Sequence, residues 1–251
     1  MVSRFFVDDH LKSGTLSFDG SEFHHMIRVT RHQVGDDVRL FDGTGREADA
    51  NITFVSRHSA TLKVGKVETT SEDETSKLVL AVAMPKSSRS GWLVEKAVEL
   101  GVSYIQPITT SRSVVNARPT KLDNLRQNIV AACKQCGRSR LMEIKPAITW
   151  SEFINDLVPN NVVAVAHPGG MPFTASLAED MTAQAKRSRS KKKGPKNVVV
   201  AIGPEGGFTV EEITQSVTRE ARLVSLGSRI LRVETAALTV ASIYQSSTMG
   251  T

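Results

Sequence analysis

The hydrophobic and polar positions divide the chain into two parts with different periods. Over residues 4–68, short apolar runs alternate with polar positions and are separated by turn pairs such as Asp19-Gly20 and Asp42-Gly43. A period of two predicts β-strands, and short strands at this spacing predict a small barrel or sandwich. The predicted strands are RFFV, GTLSF, DDVRLF, EADANITFV and ATLKVGKV.

One short helix is predicted within this first part. Phe23, Met26 and Ile27 lie at i, i+3 and i+4 after a candidate N-cap at Ser21. That spacing places the three apolar side chains on one face of a helical turn. The first part is therefore expected to be a β domain with a single helical insertion, covering residues 1–70.

Residues 71–76 are polar and acidic and are predicted to be a linker. Beyond them, over 77–251, buried strands alternate with helical segments, which predicts a parallel α/β sheet with helices on both faces. The predicted strands are KLVLAVAM, YIQPI, MEIKPA, VVAVA, NVVVAIG and RLVSLG. The predicted helices are WLVEKAVEL, KLDNLRQNIVAAC, SEFINDL, VEEITQSVTRE and ETAALTVASIYQ.

Cap residues support these helix boundaries. A glycine is expected just past the C-terminus of a helix, and a Thr followed three residues later by Glu forms a capping box at the N-terminus. The predicted C-caps are Gly101 and Gly137, and the predicted capping boxes are Thr149 with Glu152 and Thr209 with Glu212.

Composition narrows the class of protein. The chain has 251 residues, of which 40% are hydrophobic and 23% charged, as expected for one or two globular domains. The longest apolar runs, such as 78–84, are far shorter than the roughly 20 residues of a membrane-spanning helix. The N-terminal residues lack the apolar core of a signal peptide, so a cytoplasmic protein is expected.

The net charge of +6 does not by itself indicate a nucleic-acid partner. Residues 186–196 contain seven Lys or Arg and no acid, and this tract supplies the whole surplus. A surface that binds RNA elsewhere on the chain must therefore be a local patch.

Three late strands are followed by loops rich in glycine. The loops are HPGG at 167–170, GPEGG at 203–207 and GSRILR at 227–232. Ligands of parallel α/β sheets bind outside the carboxyl ends of the strands, and glycine lets a backbone approach a ligand closely. One such loop alone is compatible with an ordinary tight turn, but three in one domain predict a site. The loops match neither a P-loop nor the GxGxxG fingerprint.

Several stretches together resemble a known family. They are RFFV at 4–7, HHMIRVTRHQVGD at 24–36, LVEKAVELGV at 93–102, AACKQCGRSR at 131–140, IGPEGGF at 202–208 and LGSRILRVETAAL at 226–238. The sequence resembles the RsmE family of small-subunit ribosomal RNA uridine methyltransferases, within the SPOUT superfamily. The resemblance implies a PUA-like, RNA-binding β-barrel followed by a SPOUT α/β domain with a C-terminal trefoil knot.

The resemblance also implies the reaction and its partners. It implies methyl transfer from S-adenosylmethionine to N3 of a uracil in 16S rRNA, either naked or in the assembled small subunit, by a homodimer. The implied cofactor-binding residues are His167, Pro168, Gly203, Glu205, Gly207, Leu226, Gly227, Ile230, Leu231, Arg232 and Ala236.

The chemistry at N3 suggests roles for charged residues near the third loop. The N3 proton must leave, and negative charge then develops on the two ring carbonyl oxygens. Arg229 and Arg232 are candidates to stabilise those oxygens. Glu234 or Glu205 is a candidate proton acceptor. The alternative is that Arg232 and Glu234 pair with each other or with helix ends.

Candidate RNA contacts lie mainly in the first part of the chain. Arg28 and Arg31 share a face if their segment is helical, where they could meet phosphates; otherwise they are solvated charges. Arg4 and Arg138 are further candidates. No metal site is expected, because the CxxC pair at 133–136 has no second pair and adjacent His side chains point apart.

Two other functions stay open at this point. One is a SPOUT enzyme that methylates a ribose 2′-hydroxyl or guanine N1. The other is a non-catalytic RNA-binding or ribosome-assembly protein whose α/β domain only dimerises. The non-catalytic function would not explain the GPEGG and LGSRILRVET loops.

Overall fold

The computed structural model describes residues 2–70, 77–113, 122–157, 161–179 and 197–248. The chain folds into two compact units. The first consists of Met1–Asp73 together with Val130–Leu141, and the second of Glu74–Ile129 and Met142–Thr251. The prediction of two consecutive domains did not include the second segment of the first unit.

The first unit contains a mostly antiparallel six-stranded sheet. Its strands are β1 (Arg4–Phe6), β2 (Gly14–Phe18), β3 (Asp37–Phe41), β4 (Arg46–Val55), β5 (Ala60–Val64) and β6 (Glu68–Thr69). The order is β1-β3-β4-β5-β2, with β6 paired to β4, and only the β1–β3 pair is parallel. Phe5, Leu40, Ile52 and Leu62 are buried in its core, and all five strands predicted from the alternation are present.

The predicted short helix is present, but its cap is not the predicted one. Helix α1 (Gly20–His24) continues into a π-helical turn, His25–Val29, and Phe23 and Met26 are buried. The helix begins at Gly20, so Asp19 rather than Ser21 takes the N-cap position, without a capping hydrogen bond from its side chain. The Asp19-Gly20 turn therefore leads directly into the helix.

The segment 130–141 joins the first unit through hydrogen bonds to two of its turns and strands. Ser139 accepts a hydrogen bond from Arg4 at 2.8 Å and donates one to Glu47, and its carbonyl accepts from the Gly45 amide at 3.1 Å. The Leu141 amide donates to the Gly43 carbonyl at 3.0 Å. These bonds connect the segment to β1, to β4 and to the turn between β3 and β4.

Lys134 of this segment forms an ion pair with Glu22 of α1. Its ammonium group lies 2.9 Å from both carboxylate oxygens of Glu22, and the two side chains are only 17% and 23% exposed. The same ammonium group lies over the Phe5 ring at 5.3 Å.

Replacing Lys134 by methionine is expected to lower the free energy of unfolding by about 1–3 kcal/mol, because Glu22 loses its cation in a largely buried setting. Urea denaturation would measure the change. Lys63→Met, at an exposed position of β5, is the control and should have almost no effect. Equal losses in the two variants would contradict the structural role of the pair.

The second unit contains a parallel seven-stranded sheet. Its strands are β7 (Leu78–Val82), β8 (Tyr104–Thr109), β9 (Glu143–Ile144), β10 (Ile148–Thr149), β11 (Val162–Pro172), β12 (Val198–Ile202) and β13 (Arg222–Ser225). The order is β10-β8-β7-β12-β11-β13, with β9 paired to β8. Its helices are α2 (Ser87–Glu99), α4 (Trp150–Asn155), α5 (Val210–Thr218) and α6 (Val233–Thr248). It also contains the first half of α3 (Leu122–Cys136), whose residues from Val130 onward belong to the first unit.

Helices cover both faces of this sheet, as the buried strands predicted. Val79 and Ala81 of β7 share a buried cluster with Trp150 and Phe153 of α4. Leu80 lies between Val79 and Ala81 along β7, so its side chain points to the opposite face of the sheet. Helix α6 contacts β7, β12 and α2.

The predicted caps are also present. Both capping boxes form with reciprocal hydrogen bonds, at the starts of α4 and α5. Gly101 and Gly137 follow helices with φ of +73° and +84°, where glycine is favoured. Within the residues that the structure covers, every helix is too short or too polar to cross a bilayer.

Candidate active site

The three glycine-rich loops lie at one edge of the parallel sheet. Strands β12, β11 and β13 are neighbours in that order and run in the same direction. Their carboxyl ends therefore meet at the same edge, which is the expected ligand-binding edge of such a sheet. The sequence predicted a site from three such loops in one domain, and the strand order brings the three loops to the same edge of the sheet.

The first loop is a bulge inside β11 rather than a loop after it. Ala166 and Met171 both pair with Val224 of β13, so residues 167–170 bulge out of the ladder before the strand resumes. The amide of Gly169 donates to Nδ1 of His167 at 3.1 Å within the bulge. His167 is half-buried and Pro168 is exposed, so the bulge carries both predicted wall residues to the sheet edge.

Gly170 lies where two backbones nearly touch. A Cβ at this position would lie 2.4 Å from the backbone carbon of Leu223 and the backbone nitrogen of Val224. Only glycine fits there, because the neighbouring atoms belong to β13 and cannot rotate away. The bulge is therefore anchored to β13 at Gly170.

The second loop, after β12, is a tight turn with an open side. Gly207 has φ of +68°, and its amide donates to the Pro204 carbonyl at 2.8 Å. A Cβ at Gly203 would approach the ring of Phe208 to 3.0 Å, whereas one at Gly207 would meet nothing within 4 Å. The turn therefore packs on Phe208 at its start and leaves its backbone accessible at Gly207.

The residues after β8 hold the second loop in place. Arg112 donates from Nη1 to the Gly206 carbonyl at 2.8 Å. Glu212, buried at the start of α5, accepts from the amide and hydroxyl of Ser111 at 2.8 and 3.0 Å. The residues that follow β8 are thus bonded both to the second loop and to the start of α5.

The third loop connects β13 to α6. Gly227 has φ of +122°, and a Cβ there would meet nothing within 4 Å. The carbonyl of Arg232 accepts the amide of Ala236 at 2.8 Å, which starts α6. Arg229 and Arg232 are exposed, and Ile230 is 93% exposed. The remaining predicted residues of this loop, Leu226 and Leu231, are half-buried, and Ala236 is buried.

A group of three charged side chains joins the second loop to the start of α6. Nη1 of Arg89, in α2, lies 3.3 Å from Glu205 and 3.5 Å from Glu234. Glu234 is 6% exposed, and its Oε2 is buried without a hydrogen-bond partner among the described residues. Glu234 therefore pairs with Arg89 and not with Arg232, in contrast to the alternative considered from the sequence.

Arg89 and Arg112 were missed by the sequence analysis. Neither belongs to a glycine-rich loop, and their partners lie about a hundred residues or more away along the chain. Arg89 did carry one signal. It lies in the first turn of α2, which contains no acidic residue, although the positive end of the helix dipole disfavours a cation there.

The candidate RNA-binding arginines lie in the first unit and differ in their surroundings. Arg28 and Arg31 are exposed, but the helix ends at Val29, and Arg31 has φ of +58°. The premise that they share a helical face is therefore wrong. Arg4 is only 14% exposed, since it pairs with Glu47 at 3.1 Å and lies over the Phe41 ring. Arg138 is half-buried.

The histidine and cysteine residues do not gather into a metal site in the part of the chain that the structure covers. Cys133 is buried and Cys136 is exposed. Burial, and then the charge of Lys134, lower the pKa of His25. His25 is therefore mainly neutral at pH 7.

Family models match both units. The model of the RNA methyltransferase domain matches residues 72–245, and the model of the RNA methyltransferase PUA domain matches residues 18–65. Two curated relatives carry the name ribosomal RNA small subunit methyltransferase E. The Synechocystis protein is 29% identical over 91% of this chain and 72% of its own length. The Bacillus subtilis protein is 26% identical over 89% and 87%.

Solved structures show the same fold. The ribosomal RNA small subunit methyltransferase E of Neisseria gonorrhoeae, bound to S-adenosyl methionine, superposes with a TM-score of 0.83 at 26% identity over 98% of both chains. A Legionella pneumophila protein in complex with the bound cofactor SAM gives 0.82 at 27% identity, again over 98% of both chains.

Proposed function

The chain belongs to the RsmE family of RNA methyltransferases, and we propose that it methylates N3 of a uridine in 16S rRNA with S-adenosylmethionine. The observation that carries the proposal is the meeting of three glycine-rich segments at one sheet edge, beside a buried glutamate. Ordinary tight turns would not require a buried carboxylate oxygen without a partner at the same place.

The residues at this edge fit the cofactor. Gly207 and Gly227 have open space where a side chain would stand, so backbone groups of both turns are accessible to an adenosine. Leu226, Leu231 and Ala236 offer apolar surface beside them. The other residues proposed to hold the cofactor are His167, Pro168, Gly203, Glu205, Ile230 and Arg232.

The protein groups have separate tasks in the proposed reaction. S-adenosylmethionine supplies an electrophilic methyl group on a sulfonium centre. Oε2 of Glu234 accepts the N3 proton of uracil, because it is the buried carboxylate oxygen without another partner. Arg229 and Arg232 stabilise the negative charge that develops on the ring carbonyl oxygens. Positioning of the uracil ring by the surrounding loops lowers the entropic part of the activation barrier.

The first unit is proposed to bind the rRNA through Arg28, Arg31 and Arg138. Arg4 contributes to the unit's own stability through Glu47, and we assign it no phosphate contact. The trefoil knot and the closed PUA-like barrel belong to the same proposal and rest on the family resemblance.

A homodimer is also proposed. Ile230 in the third loop is 93% exposed and Trp92 on α2 is 48% exposed. Large apolar side chains at the surface are typical of protein interfaces when they form a patch. A partner subunit that covers Ile230 would also shield the cofactor edge from solvent.

The direct test is methyl transfer to purified small subunits and to naked 16S rRNA, with S-adenosylmethionine that carries an isotopically labelled methyl group. Mass spectrometry of the nucleosides should find labelled 3-methyluridine. Label on a ribose or on guanine would indicate the other SPOUT chemistries. Absence of transfer, together with absence of S-adenosylmethionine binding by the folded protein, would favour the non-catalytic alternative.

The basic tract 186–196 lies outside the described residues, and its role is predicted from charge alone. Its deletion should lower affinity for rRNA by about 10-fold at low salt, because fewer counterions are released on binding. Affinity for S-adenosylmethionine should not change. A neutral Gly/Ser segment of the same length is the control for loop length. Unchanged RNA affinity in both variants would contradict the prediction.

A further inference from the structure

We propose that Arg89 is a positioning residue that holds Glu205 and Glu234 together at the active site. The inference rests on the proposed function and extends it to a side chain outside the three loops. Arg89 reaches both carboxylates with one guanidinium nitrogen, at 3.3 and 3.5 Å.

The position of Arg89 in its own helix supports this role. It lies in the first turn of α2, whose N-cap is Lys86 and whose first turn has no acidic residue. A cation is disfavoured at the positive end of a helix dipole. Local helix formation therefore does not explain an arginine here, whereas two carboxylates across the site do.

The burial of Glu234 supplies the second argument. Its side chain is 7% exposed, and Arg89 is the one cation within 4 Å of it among the described residues. A buried carboxylate without a cation is unstable as an anion. Arg89 contacts Oε1 of Glu234 at 3.5 Å and leaves Oε2 without a hydrogen-bond partner among the described residues, as the proposed role of proton acceptor requires.

The two distances from Arg89 indicate that its guanidinium group is shared between Glu205 and Glu234. Charge-assisted hydrogen bonds are typically about 2.7–2.9 Å long, and both contacts of Arg89 are longer. Two carboxylates and one guanidinium carry one net negative charge. Glu205 is 52% exposed, whereas the side chain of Glu234 is 7% exposed. Arg89 thereby links the second loop to the start of α6.

The test compares Arg89→Met and Arg89→Lys with a matched control, Lys96→Met. Lys96 lies in the same helix, has the same side-chain exposure of 33%, and also contacts two glutamates, Glu95 and Glu99. Steady-state kinetics with rRNA should show kcat about 30-fold lower in Arg89→Met, with KM for either substrate within about threefold. Arg89→Lys should recover most of the rate, and Lys96→Met should behave as the unmodified protein.

A second measurement does not depend on catalysis. Amide hydrogen exchange without ligands should be about 10-fold faster over 203–209 and 233–236 in Arg89→Met, and unchanged in Lys96→Met. In a Glu234→Gln background, Arg89→Met should add little further loss of kcat, because the two residues act together.

Three results would overturn the proposal. One is exchange in Arg89→Met that matches Lys96→Met. Another is a loss of rate that Arg89→Lys does not recover and that follows the melting temperature. The third is full additivity with Glu234→Gln. If the unmodified protein transfers no methyl group, the proposed function fails, and the exchange comparison still decides the role of Arg89.

Discussion

Replacing Gly170 by alanine should lower the free energy of unfolding by about 3 kcal/mol and abolish binding of S-adenosylmethionine. The added Cβ would lie 2.4 Å from backbone atoms of Leu223 and Val224. Since β13 is held in its ladder with β11, the strain can be relieved only by separating the two strands near the bulge. That separation would displace the predicted wall residues His167 and Pro168.

Gly169→Ala is the matched control for this prediction. A Cβ at Gly169 would meet only the ring of His167, at 3.4 Å or more, which is ordinary contact. Denaturation by urea and calorimetric titration with S-adenosylmethionine should therefore separate the two variants. Similar stability and similar affinity in both would show that the close approach at Gly170 is not required for the site.

Replacing Glu234 by glutamine should reduce kcat by about 10²–10⁴-fold and leave the affinity for S-adenosylmethionine nearly unchanged. An amide of the same shape keeps the buried volume filled but cannot accept the N3 proton. Single-turnover methyl transfer, with cofactor binding measured separately, would resolve the two effects.

Glu205→Gln distinguishes the two candidate proton acceptors. Glu205 is 52% exposed and contacts the same guanidinium, so its loss should cost far less rate than the loss of Glu234. The assignment of Glu234 would be wrong if the glutamine at 205 reduced kcat more than the glutamine at 234.

The sequence predicted the elements whose causes are local. Alternation identified the first five strands, and apolar runs identified the longer strands of the parallel sheet. The Thr149 and Thr209 capping boxes formed because each needs only residues three apart. The common edge of the three loops followed from the parallel arrangement.

The parts that could not be predicted depend on contacts between distant residues. The bulge in β11 is set by its register with Val224, and Arg89 meets Glu234 across 145 positions of the chain. The ion pair of Lys134 with Glu22 spans 112 positions. No periodicity or cap signals such partners, so the second segment of the first unit also went unpredicted.

The two-segment composition of the first unit affects how the protein is made. Residues 130–141 leave the ribosome after the whole sheet of β1 to β6 and after β7, α2 and β8 of the second unit. Domains usually fold from the N-terminus as they are synthesised. The ion pair of Lys134 with Glu22 and the hydrogen bonds of Ser139 with Arg4 and Glu47 can therefore form only after all of these elements have been synthesised.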